Sequence, residues 1–223
     1  MKPIHAVLFD LDGTLLDTAP DLVYALNRMR QERGLAPLPL ATVRSIASLG
    51  SKTMLKCALD IDDTDANFFT VRTHFLEIYQ QHLALSTRFF PHMENVLAYL
   101  EQQNTPWGIV TNKLTQHTLL LLKALGIDHR PACIICGDTL PKSKPDPEPI
   151  LHACQLLQQD PKHCVYIGDS ATDVIASKAA GTQSLVALYG YLHANDKPAT
   201  WQADGYITEP IEIIDWLRKY PAS

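Results

Sequence analysis

Short, almost wholly apolar runs recur at Val7–Phe9, Trp107–Val110, Ala132–Cys136, Cys164–Ile167 and Ser184–Tyr189. Each is bounded by polar or turn-forming residues and predicts a buried strand rather than a strand with one wet face. Between the later runs the apolar period lengthens to three or four. Val96, Leu97 and Leu100 make one such stretch, and the leucines of 118–125, stopped by Gly126, make another. Residues 149–157 and 173–180 follow the same period, the last ending at Gly181. Glycine just past a helical run suits the left-handed residue that closes a helix. Strands alternating with helices predict an α/β fold, a Rossmann-like doubly wound parallel sheet with helices on both faces. Ligands of such sheets sit beyond the carboxyl ends of the strands, where strand order switches. The polar residues just after each apolar run are therefore the candidates for chemistry.

The stretch between the first two runs breaks the alternation. Pro20 opens a helical period carried by Leu22, Val23, Leu26 and Met29, which Gly34, Pro37 and Pro39 end. Val43 and Ile46, then Met54, Leu55, Ala58 and Leu59, predict two short helices separated by Gly50. Cap-like acids at 62–65 precede a longer helix whose Phe69, Phe75, Leu76 and Tyr79 are expected to face inward. No alternating strand appears between Leu16 and Leu85. The expected organisation is a core of residues 1–16 and 87–223 interrupted by a small helical insertion at 17–86.

Composition narrows the function classes. Apolar residues make up 46% of the 223-residue chain, which suits a packed core, and the net charge of −5 offers no basic stripe for nucleic acid. Five cysteines without a compact spacing suit a reducing compartment. No run approaches the roughly 18 apolar residues of a membrane span, and Met1–His5 is too short for a secretory signal. A cytoplasmic monomer or homodimer is expected, without nucleic-acid or membrane partners.

The first strand delivers Asp10 and Asp12 into a turn at Gly13, followed by the hydroxyl of Thr14. Two buried like charges this close cost several kcal/mol unless a cation or proton neutralises them. Asp and Gly also make ordinary turns, but a buried strand aimed at both acids points to chemistry. Asp10 reads as a nucleophile, Asp12 as a general acid/base, and the turn as a seat for metal and phosphate. The segment resembles motif I, D-x-D-G-T, of the haloacid dehalogenase (HAD) superfamily, whose phosphatases form an aspartyl-phosphate on the first Asp.

Three further strand ends extend the resemblance. Thr111-Asn112-Lys113 offers a hydroxyl and backbone N–H groups to a phosphate, or simply a helix cap, and resembles motif II with Thr111 as phosphate binder. Lys144, stiffened by neighbouring prolines ahead of Asp146, resembles the motif III lysine that neutralises nucleophile and phosphate, with Lys142 solvated. Gly168-Asp169-Ser170-Ala171-Thr172-Asp173 resembles motif IV, G-D-x-x-x-D, which implies Asp169 as a metal ligand and Asp173 as a supporting one. Oxygen-only donors beside a phosphate favour Mg²⁺, held by Asp10, Asp12 (through its carbonyl) and Asp169. Cys133 and Cys136 have C-x-x-C spacing but point to opposite faces of a strand, and the nine histidines show no metal-site spacing.

The resemblance implies the HAD fold with a helical cap, and a Mg²⁺-dependent phosphomonoesterase acting on a small-molecule phosphate monoester. Gly13, Thr111, Asn112 and Lys144 are expected to hold the phosphoryl group, and Ser48–Lys52 to form a cap loop against substrate. Within the superfamily the chain most resembles phosphoglycolate phosphatases. Tyr189-Gly190-Tyr191, His193 and the run 197–204 resemble N-acetylmuramic acid 6-phosphate phosphatases. Lys52 and Lys113 are candidate partners for a substrate carboxylate, while Tyr191, His193 and Trp201 are candidates to line a wider sugar-binding mouth. A sugar phosphomutase and a haloacid dehalogenase are the competing activities; Asp12 as proton donor argues against the second.

Overall fold

The computed structural model describes residues 3–220. Six parallel strands form one sheet, in the order β5 (Cys133–Ile135), β4 (Trp107–Val110), β1 (Ala6–Phe9), β6 (Cys164–Gly168), β7 (Gln183–Ala187) and β8 (Gly205–Ile207). The register sets Val7 opposite both Trp107 and Val165, and Phe9 opposite Ile109 and Ile167. β1 is thus central, with its two neighbours drawn from distant parts of the chain, and its carboxyl end is the switch point.

The period of two divides the core. Val7 and Phe9 pack with Leu97 and Leu100 of α5 (Met93–Gln102), Leu121 of α6 (Thr115–Ala124) and Ile213 of α9 (Glu212–Leu217). Ala6 and Leu8 face the other way, against Ile150 and Ala153 of α7 (Glu148–Leu156) and Ala176 of α8 (Ala171–Ala180). Both faces are covered, as the apolar runs predicted.

The insertion consists of α1 (Ala19–Glu32), α2 (Leu40–Arg44), α3 (Gly50–Leu59) and α4 (Phe68–Gln81), which share their own apolar cluster. On α4 the inward residues are Phe68, Val71, Phe75, Ile78 and Tyr79, whereas Phe69 is 75% exposed. The expected inward Phe69 is corrected by one position, because the stripe runs 68, 71, 75, 78 and Phe69 falls outside it. Entry and exit of the insertion pair as a two-residue antiparallel ribbon, β2 (Leu16–Asp17) with β3 (Arg88–Phe89). Asp21, in the first turn of α1, accepts the N–H of Ser86 (2.8 Å) and the N–H and hydroxyl of Thr87 (3.0 and 2.7 Å), tying the two linkers together. Among the described residues no helix is long and apolar enough to cross a membrane.

Candidate active site

The carboxyl ends of β1, β4 and β6, with the loop before α7, converge on one buried polar cluster. Asp10, Lys144, Asp169 and Asp173 are each at most 8% exposed. The Lys144 ammonium lies 2.9 Å from Asp10 Oδ1 and 2.7 Å from Asp173 Oδ1, and donates to the Tyr166 hydroxyl at 2.6 Å. The Tyr166 hydroxyl in turn donates to the Val110 carbonyl at 2.8 Å. Burial works against the Lys144 charge, but the Asp10 and Asp173 carboxylates outweigh it and hold its pKa above the ordinary value. Asn112 clips the lysine's backbone, its amide donating to the Lys144 carbonyl (2.9 Å) and its side-chain oxygen accepting the Lys144 N–H (3.1 Å). The Asn112 side chain is thereby occupied in placing Lys144.

Asp10 Oδ1 also accepts the Leu11 N–H at 2.8 Å. Burial raises its pKa from 3.8 to about 7, against the pull of Lys144 and with Asp173 adding to the rise. Asp169 is pushed up in the same direction, first by burial and then by Asp10 and Asp173. Its Oδ2 accepts the Tyr191 N–H at 2.7 Å, while its Oδ1 is buried without a hydrogen-bond partner. Gly13 permits this placement: its φ is +82°, and a Cβ there would lie 2.2 Å from Asp169 Oδ2. Gly190 does the same from the other side, where a Cβ would lie 2.3 Å from that of Asp169.

This set fits a hard divalent cation. Asp10, Asp169 and Asp173 each bring a carboxylate oxygen within 4.8 Å of the others, and an unsatisfied buried oxygen points to a missing positive partner. Asp173 is the most committed of the three, since Oδ1 takes Lys144 and Oδ2 takes the N–H (3.0 Å) and hydroxyl (2.6 Å) of Ser170 in a capping box on α8.

Asp12 stands apart from that cluster. Its Oδ1 accepts the Thr18 hydroxyl at 2.6 Å, and Lys113 Nζ lies 3.1 and 3.2 Å from its two oxygens. The Lys113 ammonium also sits 4.8 Å from the centre of the Tyr79 ring. Burial opposes the Lys113 charge and Asp12 more than compensates, so its pKa stands above the ordinary value. The reactive end opens into a cavity of about 210 Å³. Asp10, Asp12, Thr111, Asn112 and Lys113 line one side, and Leu22, Ser48, Ser51, Met54, Arg72, Phe75 and Tyr79 of the helical insertion line the other.

Several expectations change. Ser48, Gly50 and Ser51 do reach the cavity, but Lys52 turns out to an exposed ion pair with Asp63 at 2.5 Å and does not line it. Lys113 lines the cavity yet is committed to Asp12. Tyr191 is not at a mouth: it is 2% exposed, with its hydroxyl accepting the Ala19 N–H and donating to Asp17 Oδ1, each at 2.8 Å. Neither His193 nor Trp201 lines the cavity. Tyr166, Arg72 and His117 were not singled out from the sequence. Arg72 had a usable signal, since its spacing from Phe68, Phe75 and Tyr79 puts a cation on the buried stripe of α4.

The sequence pattern of the haloacid dehalogenase-like hydrolases matches residues 7–187. An N-acetylmuramic acid 6-phosphate phosphatase of Pseudomonas putida is 39% identical over 210 residues, covering 94% of each chain. A phosphoglycolate phosphatase of Xanthomonas campestris is 43% identical over 213 residues, covering 96% of each. The crystal structure of a predicted phosphoglycolate phosphatase from Haemophilus somnus superposes with a TM-score of 0.86 at 28% identity, covering 97% of this chain and 99% of that one.

Proposed function

The chain belongs to the haloacid dehalogenase-like hydrolases, and on that premise we propose that it is a Mg²⁺-dependent phosphomonoesterase of small organic phosphates, working through a phosphorylated Asp10. Phosphoglycolate is the first substrate we assign, and N-acetylmuramic acid 6-phosphate the second, following the names of the similar phosphatases. What most supports it is the meeting of Asp10, Lys144 and Asp169 at the carboxyl end of the central strand, with Asp169 Oδ1 left unpaired.

Asp10 and Asp169, with the Asp12 carbonyl, would hold the cation, and Asp173 supports them through Lys144. When bound, Mg²⁺ supplies positive charge that keeps the buried carboxylates ionised and offsets charge on the phosphoryl oxygens. Asp10 attacks phosphorus in line, forming the P–O bond to its carboxylate as the bond to the leaving oxygen breaks. Asp12, oriented by Thr18 and Lys113, gives the leaving oxygen its proton and later takes one from the water that cleaves the aspartyl-phosphate. In this reading Lys144 and the Thr111 hydroxyl hold phosphoryl oxygens, while the insertion, which lines the cavity, keeps bulk water from the acyl phosphate.

The test is phosphate release across a panel of phosphate monoesters with Mg²⁺ and with chelator. Turnover of small esters that stops in chelator and returns with Mg²⁺ is expected. Full turnover in chelator by metal-free protein contradicts the assignment.

A further inference from the structure

The cationic side chains around the cavity are not equally matched. At the reactive end the cationic side chains are already matched: Lys144 by Asp10 and Asp173, and Lys113 by Asp12. From the insertion, Arg72 on α4 also lines the cavity, using Nε to donate to Ser51 Oγ at 2.9 Å. Among the described residues no carboxylate pairs with its guanidinium, so a positive group faces the cavity without a counter-charge.

Two more polar atoms beside it are unsatisfied. His117 on α6 is 6% exposed, and its Nε2 has no hydrogen-bond partner; the Tyr79 hydroxyl, also buried, has no close partner, with the Lys113 ammonium as its charged neighbour. The two rings lie 5.9 Å apart and both line the cavity. Buried polar atoms without partners are uncommon in folded chains and mark a place that something else fills. Burial, and then the nearby Lys113 charge, lower the His117 pKa, so this ring adds no second positive charge at neutral pH. Leu22, Met54 and Phe75 add apolar lining to the same cavity.

We propose that Arg72, with His117 Nε2 and the Tyr79 hydroxyl, forms a subsite for a carboxylate at the end of the substrate remote from its phosphoryl group. The assignment rests on the phosphomonoesterase function above and narrows its substrate class. A planar carboxylate matches the guanidinium fork with one charge, and offers lone pairs to the Tyr79 hydroxyl and to His117 as its Nε2–H tautomer. A neutral hydroxyl leaves the guanidinium unpaired, and a second phosphate sets about two negative charges against one positive. The subsite draws Arg72 and Tyr79 from the insertion and His117 from the core, so it is complete only when these helices close on each other. Arg72 is then a specificity-determining residue: it senses the far end of the ester and takes no part in moving the phosphoryl group.

The experiment measures kcat/KM for phosphoglycolate and for 2-hydroxyethyl phosphate, which replaces the carboxylate by a neutral alcohol, with ethylene glycol bisphosphate as a third substrate. The wild-type chain is expected to prefer phosphoglycolate over both by at least about 30-fold, the lower end for losing one partner of a buried charge pair. In Arg72→Met the ratio of acid to neutral ester falls to within a few-fold of one, and Arg72→Lys recovers part of it. His117→Leu lowers the same ratio by a smaller factor. A wild-type ratio near one, or a preference for the bisphosphate, overturns the carboxylate subsite while leaving the phosphatase function intact, and it needs no variant to fold. An unchanged ratio in Arg72→Met overturns the role of that residue. No turnover of any ester, an activated aryl phosphate included, removes the phosphatase function and this assignment with it.

Discussion

The Tyr191 N–H donates to Asp169 Oδ2 at 2.7 Å, while the Tyr191 hydroxyl reaches Asp17 Oδ1 at 2.8 Å in the ribbon that leads into the helical insertion. A single residue in the loop after β7 therefore orients a candidate metal ligand with its backbone and anchors the β2–β3 ribbon with its side chain. Asp17 continues the chain of contacts to Arg44 of α2 at 2.7 Å. Removing only the hydroxyl, in Tyr191→Phe, leaves the buried Ala19 N–H without its acceptor. A loss of about 1–3 kcal/mol in urea unfolding is expected. The Mg²⁺ concentration for half-activation is expected to change little, because the backbone contact to Asp169 remains. A large shift in Mg²⁺ requirement with unchanged stability contradicts this division of labour.

Lys144 neutralises two buried carboxylates at once, and its deletion leaves both exposed to each other. Lys144→Met is expected to lower stability by about 3–5 kcal/mol in chelator, the cost of breaking a buried ion pair from one side. Turnover falls with it, by a hundredfold or more on the scale of a lost charge-stabilising donor. Thermal unfolding and steady-state rates on the same preparation check both. Stability within 1 kcal/mol of wild type, on the scale of an exposed pair, contradicts the buried network.

The crowding of acids also fixes the sign of a pH effect. The folded chain holds the Asp10 pKa near 7 against an ordinary 3.8, chiefly through burial, and Asp169 moves the same way. Between those two values the folded state keeps a proton that the unfolded chain has released. Without a cation, stability therefore falls as pH rises from about 4 to about 7. Mg²⁺ opposes this by favouring the ionised carboxylates, so its increment in melting temperature is expected to grow across the same window. A metal-free stability that rises through that window, with an increment indifferent to pH, contradicts the site.

The proposed function gives Asp12 the leaving-group proton. Asp12→Asn is expected to lose far more activity on an alkyl phosphate than on an activated aryl phosphate, whose leaving group hardly needs a proton. Equal losses on the two esters, measured as kcat/KM, count against Asp12 as general acid.

The sheet and its acids were legible because both depend on local order in the chain. Asp10, Thr111 and Asp169 each follow directly on a buried apolar run, so one rule about strand ends finds them. The rest depends on partners far away in sequence. Tyr166 looks like one more apolar strand residue, and only the fold brings Lys144 to its hydroxyl at 2.6 Å. His117 sits in a leucine-rich helix, and its unpaired Nε2 shows only once α6 meets α4. Lys52 had the right charge, but it lies in the first turn of α3 rather than in a loop, and Asp63 takes it. β8 and the β2–β3 ribbon are too short for any period to register; β8 is fixed by pairing with β7, and β2 and β3 by pairing with each other.

If phosphorus passes through the Asp10 carboxylate, the acyl phosphate can be trapped, because borohydride reduces it to the alcohol and leaves protein carboxylates and amides intact. The enzyme is quenched during turnover with Mg²⁺ and substrate, reduced with borohydride, digested and mapped by mass spectrometry. Conversion of residue 10 from aspartate to homoserine is predicted, dependent on both substrate and Mg²⁺, absent in Asp10→Asn, and enhanced in Asp12→Asn with an aryl phosphate because the second step slows. Turnover with residue 10 unmodified in both wild type and Asp12→Asn, or conversion at another acidic residue instead, contradicts it.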